Sequence, residues 1–78
     1  LYPNPGTGIF HFRTDITSSQ PFIMEVFNLN GQLVLNKNYG IQTGMFESSF
    51  DLSVQSPGIY QVRFISGEKV IHKKIILQ

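Results

Sequence analysis

The sequence contains no cysteine, few charges and no long apolar run, and each shortage excludes a class of protein. Without cysteine there is no disulfide to stabilise a small fold and no thiol for nucleophilic catalysis. Six basic against five acidic residues give a net charge of +1, too little for a face that neutralises nucleic-acid phosphates. The longest apolar runs are three residues, as at 33–35 and 75–77, whereas a membrane helix requires roughly 20. We therefore expect neither a nucleic-acid partner nor a membrane-spanning segment.

Residues that carry catalysis or bind metals are also scarce. The only imidazoles are His11 and His72, and the only aspartates are Asp15 and Asp51. No serine lies in a Gly-x-Ser-x-Gly pattern. A zinc site would need a further ligand near the two histidines, and the spacing shows no such cluster. We therefore expect no enzyme activity, no catalytic residue, no cofactor and no metal site, with both histidines facing outward from strands.

A chain of 78 residues is one domain by size, and its core is marginal. Seven phenylalanines and three tyrosines supply the apolar area that a core of this size needs. We therefore treat residues 1–78 as a single domain. Because it begins at Leu1 without an initiator methionine, we expect it to be a fragment of a longer precursor.

Apolar and polar residues alternate with a period of two along most of the chain, which predicts strands and no helix. The predicted strands are residues 8–13, 22–28, 32–39, 45–54, 59–65 and 69–77, joined by turns or loops. This pattern predicts an all-β fold, an immunoglobulin-like antiparallel β-sandwich of six or seven strands. The expected inward-facing side chains are Phe10, Phe12, Phe22, Met24, Val26, Phe46, Phe50, Leu52, Val54, Tyr60, Val62 and Phe64.

The segment from Asn28 to Gly31 predicts a hairpin, with two geometries open. A two-residue turn at residues 30–31 would oppose Val26 to Leu35. A type I turn with Gly31 in a left-handed bulge would oppose Val26 to Val34, and Asn28 would fold its side chain onto the turn backbone. We favour the bulge.

The segment before residue 60 predicts a second local structure, a tyrosine corner. Pro57 and Gly58 form a turn, and Tyr60 stands at the start of the next strand. A tyrosine there can bury its ring between the sheets while its hydroxyl bonds to the backbone of the preceding arch. The same device occurs in other sandwiches, so it supports the fold without indicating a function.

The amino-terminal segment is rich in proline and glycine. Each proline fixes its own φ and holds the preceding residue out of the helical region, so a stiff extended arm is predicted. Gly6 and Gly8 are expected to adopt positive φ and turn the chain into the first strand. The residues of this motif are Tyr2, Pro3, Asn4, Pro5 and Gly8.

Four landmarks follow this opening in a fixed order: residues 28–31, 51–53, 57–60 and a lysine-bearing last strand. Together they resemble the type A C-terminal sorting domain of the type IX (Por) secretion system of Bacteroidetes, over essentially all 78 residues. The family's usual acidic residue at position 28 is replaced here by Asn28. The resemblance implies a secretion signal that takes an upstream, covalently linked passenger across the outer membrane of a Gram-negative bacterium, through the periplasm to the cell surface or the extracellular space. It also implies two partners, the type IX translocon and a sortase-like protease that cuts upstream of Tyr2 and attaches the passenger to the surface.

The last strand carries apolar residues in both phases beside two lysines. The resemblance implies that the export machinery recognises this region, and we hypothesise docking by strand addition at Lys73, Lys74, Ile75, Ile76 and Leu77. A simpler explanation also fits, in which Lys73 and Lys74 only protect an edge strand from aggregation.

The sequence is also compatible with two other functions. A fibronectin type III-like or carbohydrate-binding accessory module of a secreted enzyme would stack exposed aromatics such as Phe27 or Tyr39 on sugar rings. A structural spacer would be removable without loss of export or of ligand binding.

Overall fold

The structure, a computed structural model, describes residues 1–78 and contains six β-strands. The predicted all-β class is therefore confirmed. No helix in the structure could span a membrane. In chain order the strands are β1 (Ile9–Ile16), β2 (Pro21–Phe27), β3 (Leu33–Ile41), β4 (Gly44–Asp51), β5 (Gly58–Ser66) and β6 (Lys69–Leu77).

The strands form two antiparallel sheets that pack face to face, which confirms the immunoglobulin-like sandwich. The small sheet contains β1 and β4, and the large sheet has the order β3-β2-β5-β6. The chain changes sheets between β3 and β4 through residues 42 and 43. Strand β6 stands at one edge of the large sheet, so one side of its backbone is not used by β5.

The hydrophobic core lies between the sheets and is built from alternate residues of the strands. Phe12 is at the centre of this core. Its ring centroid lies 4.8 Å from the ring centroid of Phe64 and 6.1 Å from that of Phe22. Phe46, predicted to face inward, is partly buried against this core. The buried set is Phe10, Phe12, Ile16, Phe22, Met24, Val26, Phe50, Leu52, Tyr60, Val62, Phe64, Ile75 and Leu77.

Two predicted strand ends are wrong. Strand β1 continues to Ile16, which is buried, because β1 pairs with β4 along its full length. Strand β4 ends at Asp51, and the side chain of Val54, expected to face the core, is 89% exposed. The Asp51 carboxylate accepts a hydrogen bond from the Ser53 amide at 2.8 Å, and this local turn takes the chain out of the sheet.

The hairpin between β2 and β3 has the favoured turn but not the favoured register. Gly31 has a φ of 82°, and Asn28 pairs with Gln32 through the Asn28 N–H and the Gln32 carbonyl at 3.0 Å. The predicted pairing of Val26 with Val34 is wrong, because a second irregularity makes Val26 oppose Leu35. The turn follows from local chemistry, whereas no local sequence signal indicates the second irregularity.

The tyrosine corner is present as predicted. The Tyr60 ring is buried, and its hydroxyl donates a hydrogen bond to the Ser56 carbonyl at 2.5 Å. Gly58 has a φ of 156°, so the turn before β5 uses a conformation that other residues rarely adopt. This bond fastens the arch between β4 and β5 to the core.

Candidate functional site

The amino-terminal arm, residues 1–8, lies against the free edge of the last strand. The Gly6 N–H donates to the Ile76 carbonyl at 3.0 Å, and the Gln78 N–H donates to the Gly6 carbonyl at 2.8 Å. Gly6 and Leu77 form a parallel bridge. Residues at the two ends of the chain therefore form one structural unit.

Asn4 extends this contact with its side chain. Its Nδ2 donates to the Lys74 carbonyl at 3.0 Å, and its Oδ1 accepts from the Ile76 N–H at 3.0 Å. A side-chain amide offers the same donor and acceptor as a peptide group. Asn4 thus occupies the position that a residue of a neighbouring strand would take beside β6.

The arm also contacts the other sheet. Tyr2 and His11 exchange two backbone hydrogen bonds, at 3.0 and 2.8 Å, and their rings stack with centroids 5.5 Å apart. Since His11 belongs to β1, the arm joins the small sheet to the large one on one open side of the sandwich. The two peptide bonds that precede prolines in the arm, Tyr2–Pro3 and Asn4–Pro5, are cis.

The two glycines of the arm act by their size, not by positive φ, so that prediction is wrong. Neither is among the glycines with positive φ, and both are buried. A Cβ on Gly6 would lie 2.8 Å from Cε1 of Phe10, and a Cβ on Gly8 would lie 3.0 Å from Cβ of Ser53. A side chain at Gly6 would therefore force a neighbour to move, and one at Gly8 would make an unusually tight contact with Ser53.

The sequence motifs meet at one end of the sandwich, which we call the motif end. Ile9 pairs with Asp51 in the small sheet, and Gly58 pairs with Leu77 in the large one. The turn at residues 28–31 follows β2 at the end where β5 begins. The arm, the hairpin turn, the Asp51 turn, the tyrosine corner and the end of β6 are thus brought together, although they are spread along the whole sequence.

The five residues proposed for recognition divide between surface and core. Lys73, Lys74 and Ile76 are exposed, with Ile76 at 39%. Ile75 and Leu77 are buried, at 0% and 3% exposure. The edge position that strand addition would use beside residues 74–78 is already filled by Asn4 and Gly6. A partner that contacts the folded domain here therefore meets exposed side chains and the arm, not a free backbone edge.

The local structure changes the titration of Asp51. Hydrogen bonds from the backbone of Ser53 and then from its side chain hold the pKa of the Asp51 carboxyl below its usual range, and partial desolvation opposes them. The charged form is thus the one that stabilises the turn after β4. The sequence reasoning identified Asp51 only as part of a motif and gave it no role.

The aromatics proposed for sugar stacking do not form an exposed platform. Tyr39 faces inward, with its ring 5.0 Å from that of Phe46, and its hydroxyl is buried without a hydrogen-bond partner. Phe27 is partly buried, and the Arg63 guanidinium, which is also paired with Glu25, lies 5.2 Å over its ring. This arrangement does not favour a carbohydrate-binding module.

The histidines do not come together with acidic residues. His11 lies on β1 and His72 on β6, in different sheets, and both are exposed. No group of three or more histidine and carboxylate side chains converges in a way that could hold a metal ion. The feature that the fold does assemble is the contact between the arm and β6.

This contact and the motif end involve the residues that carried the resemblance, from Tyr2 to Leu77. No curated protein matches the chain. The model of the protein family described as a secretion system C-terminal sorting domain matches residues 1–78, the whole length, and the chain therefore belongs to that family.

Proposed function

We propose that this type IX sorting signal is recognised as a folded domain, through side chains of β6 at the motif end. Membership of the family gives the coarser function: a C-terminal signal linked to an upstream passenger and handled by the type IX machinery, for export to the cell surface or beyond. The observation that carries the finer proposal is the division of β6 into exposed Lys73, Lys74 and Ile76 and buried Ile75 and Leu77.

The exposed side chains offer a partner two kinds of interaction. Lys74 provides an ammonium group for acidic residues of the export machinery, and Ile76 provides apolar area beside it on the same face of the strand. Lys73 provides a second ammonium group from the opposite face. Ile75 and Leu77 hold the strand against the core, so they position the recognised side chains without contacting the partner. Side-chain recognition also leaves the arm in place, whereas strand addition at residues 74–78 would have to displace it.

A fusion experiment tests the function itself. Residues 1–78 are placed behind a Sec signal and a fluorescent reporter in a host with a working type IX system. We expect the reporter at the cell surface, and we expect it to stay in the periplasm in a translocon-deficient strain. Equal surface delivery in both strains, or delivery in neither, would contradict the assignment.

A second experiment tests the recognised residues with a matched control. Lys74→Glu and Ile76→Asn change exposed positions near the end of β6, and Val70→Asn changes a 46% exposed position on the same strand. We expect severalfold less surface reporter for the first two, with unchanged thermal unfolding, and normal export of the Val70 variant. If all three folded variants are exported equally, the proposed surface is wrong. Point substitutions are preferable to deletion of residues 75–78, because the deletion would also remove buried Ile75 and Leu77 from the core.

We further infer that a sortase-like protease removes the domain by cutting upstream of Tyr2. Tyr2, Asn4 and Gly6 are held by hydrogen bonds to β1 and β6, so a cut within the arm would require the domain to open first. Mass spectrometry of the passenger recovered from the cell surface checks this. A passenger whose carboxyl terminus includes Tyr2 or any later residue would contradict it.

A further inference from the structure

A cleft on the open side of the sandwich continues from the arm. It has a volume of about 140 Å³ and lies between residues 12–16 of β1 and residues 69–73 of β6. Lys69 and Lys73 stand on its rim. Its apolar lining residues are Leu1, Phe12, Ile16, Phe22, Phe64 and Ile71. Of these, Leu1 and Ile71 are partly exposed and the other four are buried, so the cleft lies at the margin of the core.

The edge of β1 beside this cleft has unpaired backbone groups. In β1 the odd-numbered residues direct their N–H and C=O groups away from β4, as the bonds between His11 and Tyr2 show. None of the backbone hydrogen bonds outside the strand ladders involves Arg13 or Asp15. A strand can therefore be added along residues 12–16.

The arm sets the register of such a strand. The antiparallel bridge between Tyr2 and His11 places Leu1 opposite Phe12, and Leu1 already lines the cleft. A chain that continued backwards from Leu1 in the same register would exchange hydrogen bonds with Arg13 and Asp15. Counting backwards from Leu1, the first upstream residue would lie opposite Arg13 and the third opposite Asp15, and these two would make the hydrogen bonds. The second would lie opposite Thr14 and the fourth opposite Ile16, with both side chains facing inward.

We propose that the four residues directly upstream of Leu1 in the precursor form this strand, which completes the small sheet and closes the cleft. The proposal rests on the proposed function, because a C-terminal sorting domain follows a passenger and so has a segment in this position. In this register the second residue before Leu1 faces the cleft, so we expect its side chain to be apolar. The linker to the passenger is thus ordered as part of the sorting domain, and any proteolytic cut lies farther upstream or follows release of this strand.

Disulfide trapping in the full precursor tests the register. Residues 1–78 contain no cysteine, so a Thr14→Cys variant has no partner within the domain. A second cysteine is therefore introduced in the segment upstream of Leu1. At the second residue before Leu1, this cysteine forms a non-hydrogen-bonded pair with position 14. In antiparallel sheets the side chains of such pairs approach each other most closely. Placed at the first residue before Leu1, it points to the opposite face and serves as the matched control.

We expect the first pair to form an intramolecular disulfide at least tenfold more than the control, measured by peptide mapping. Equal yields, or none from either pair, would overturn the proposal. A disulfide that joins Thr14→Cys of two precursor molecules would overturn it in favour of a second copy as the occupant of the cleft.

Amide exchange provides an independent check, because it can be measured on the precursor without any substitution. The amides of Arg13 and Asp15 should exchange at least tenfold more slowly than that of His72, whose N–H points outward on the free part of the β6 edge. Replacing the four upstream residues by Gly-Ser-Gly-Ser keeps the linker length and should weaken this protection. Rapid exchange at all three amides of the unsubstituted precursor would overturn the proposal. Both measurements report on the precursor's structure, so they succeed or fail independently of whether the reporter reaches the surface.

Discussion

Asn4 and Ile76 lie 72 positions apart in the sequence, and the Asn4 side chain accepts a hydrogen bond from the Ile76 amide at 3.0 Å. The same side chain donates to the Lys74 carbonyl, so both sides of one amide group are used. The asparagine between the two prolines is thus a substitute for a strand residue at the edge of β6. It couples the first motif of the chain to the strand that we propose the export machinery recognises.

Removing this side chain should detach the arm from β6. Asn4→Ala loses two partly solvated hydrogen bonds, so we expect the free energy of unfolding to fall by about 1 kcal/mol. Amide exchange at Ile76 should accelerate, because its acceptor is gone. Asn36→Ala is the matched control, since Asn36 is exposed on β3 and its side chain makes no hydrogen bond. Equal effects of the two changes would show that the arm contributes nothing to the edge.

The packing of the arm can be tested at Gly6. A Cβ there would lie 2.8 Å from Cε1 of Phe10 and 3.0 Å from the Pro3 carbonyl oxygen, so the arm or the core has to move. We expect Gly6→Ala to lower the free energy of unfolding by about 1–3 kcal/mol, as overpacking does in other cores. Thr7→Ala, at the exposed neighbouring position, should stay within about 0.5 kcal/mol of the unsubstituted domain in denaturant unfolding. A tolerated alanine at Gly6 would contradict the close approach.

The same substitution should have opposite effects at two tyrosines. Tyr60→Phe removes the bond to the Ser56 carbonyl and leaves that acceptor without its partner, so we expect a loss of about 1 kcal/mol. Tyr39→Phe removes a buried hydroxyl that has no partner, so the domain should keep or gain stability. Thermal unfolding of the two variants measures the contrast. Destabilisation by both changes to the same degree would mean that the Tyr39 hydroxyl is paired.

Local patterns in the sequence were enough to predict the class of fold and several of its details. The period-two alternation placed Phe10 and Phe12 in the core, because a strand buried on one face has to alternate. The turn at Asn28 and Gly31 and the bond of the Tyr60 hydroxyl follow from chemistry within a few residues. Such features do not depend on where distant parts of the chain lie.

The errors and omissions arise where distant segments meet. The sequence predicts a turn role for Gly6 because it does not show that Phe10 and Ile76 are its neighbours in the fold. Val54 continued the inward phase of its strand, but the Asp51 turn had already ended that strand. The pairing of Asn4 with β6 joins opposite ends of the chain, and no local pattern indicates it.

Acid should weaken the turn at Asp51 selectively. The pKa of its carboxyl is lower in the folded domain than in the unfolded chain, because Ser53 donates hydrogen bonds to the charged form. The unfolded chain therefore binds the proton more readily, and the stabilising contribution, complete above the unfolded pKa, is lost as the pH falls through and below it. We expect Asp51→Asn to flatten the dependence of the unfolding free energy on pH below about pH 5.

Asp15→Asn is the control for losing one exposed carboxylate of β1. Denaturant unfolding at a series of pH values measures both variants against the unsubstituted domain. An equal change in slope for the two would assign the effect to total charge and not to the Ser53 hydrogen bonds.

Neighbouring isoleucines at the end of β6 should separate folding from recognition. Ile75 is fully buried, so Ile75→Ala should cost about 2–5 kcal/mol through lost burial and a new cavity. Ile76 is 39% exposed on the opposite face, so Ile76→Ala should cost less than about 1 kcal/mol. Denaturant unfolding checks both values, and surface delivery of the reporter checks export.

Recognition of the exposed face of β6 predicts that Ile76→Ala reduces export although the domain stays folded. It also predicts that Ile75→Ala reduces export only in proportion to the fraction of unfolded domain. If export follows stability alone in both variants, the fold itself is the signal and no side chain of β6 is recognised.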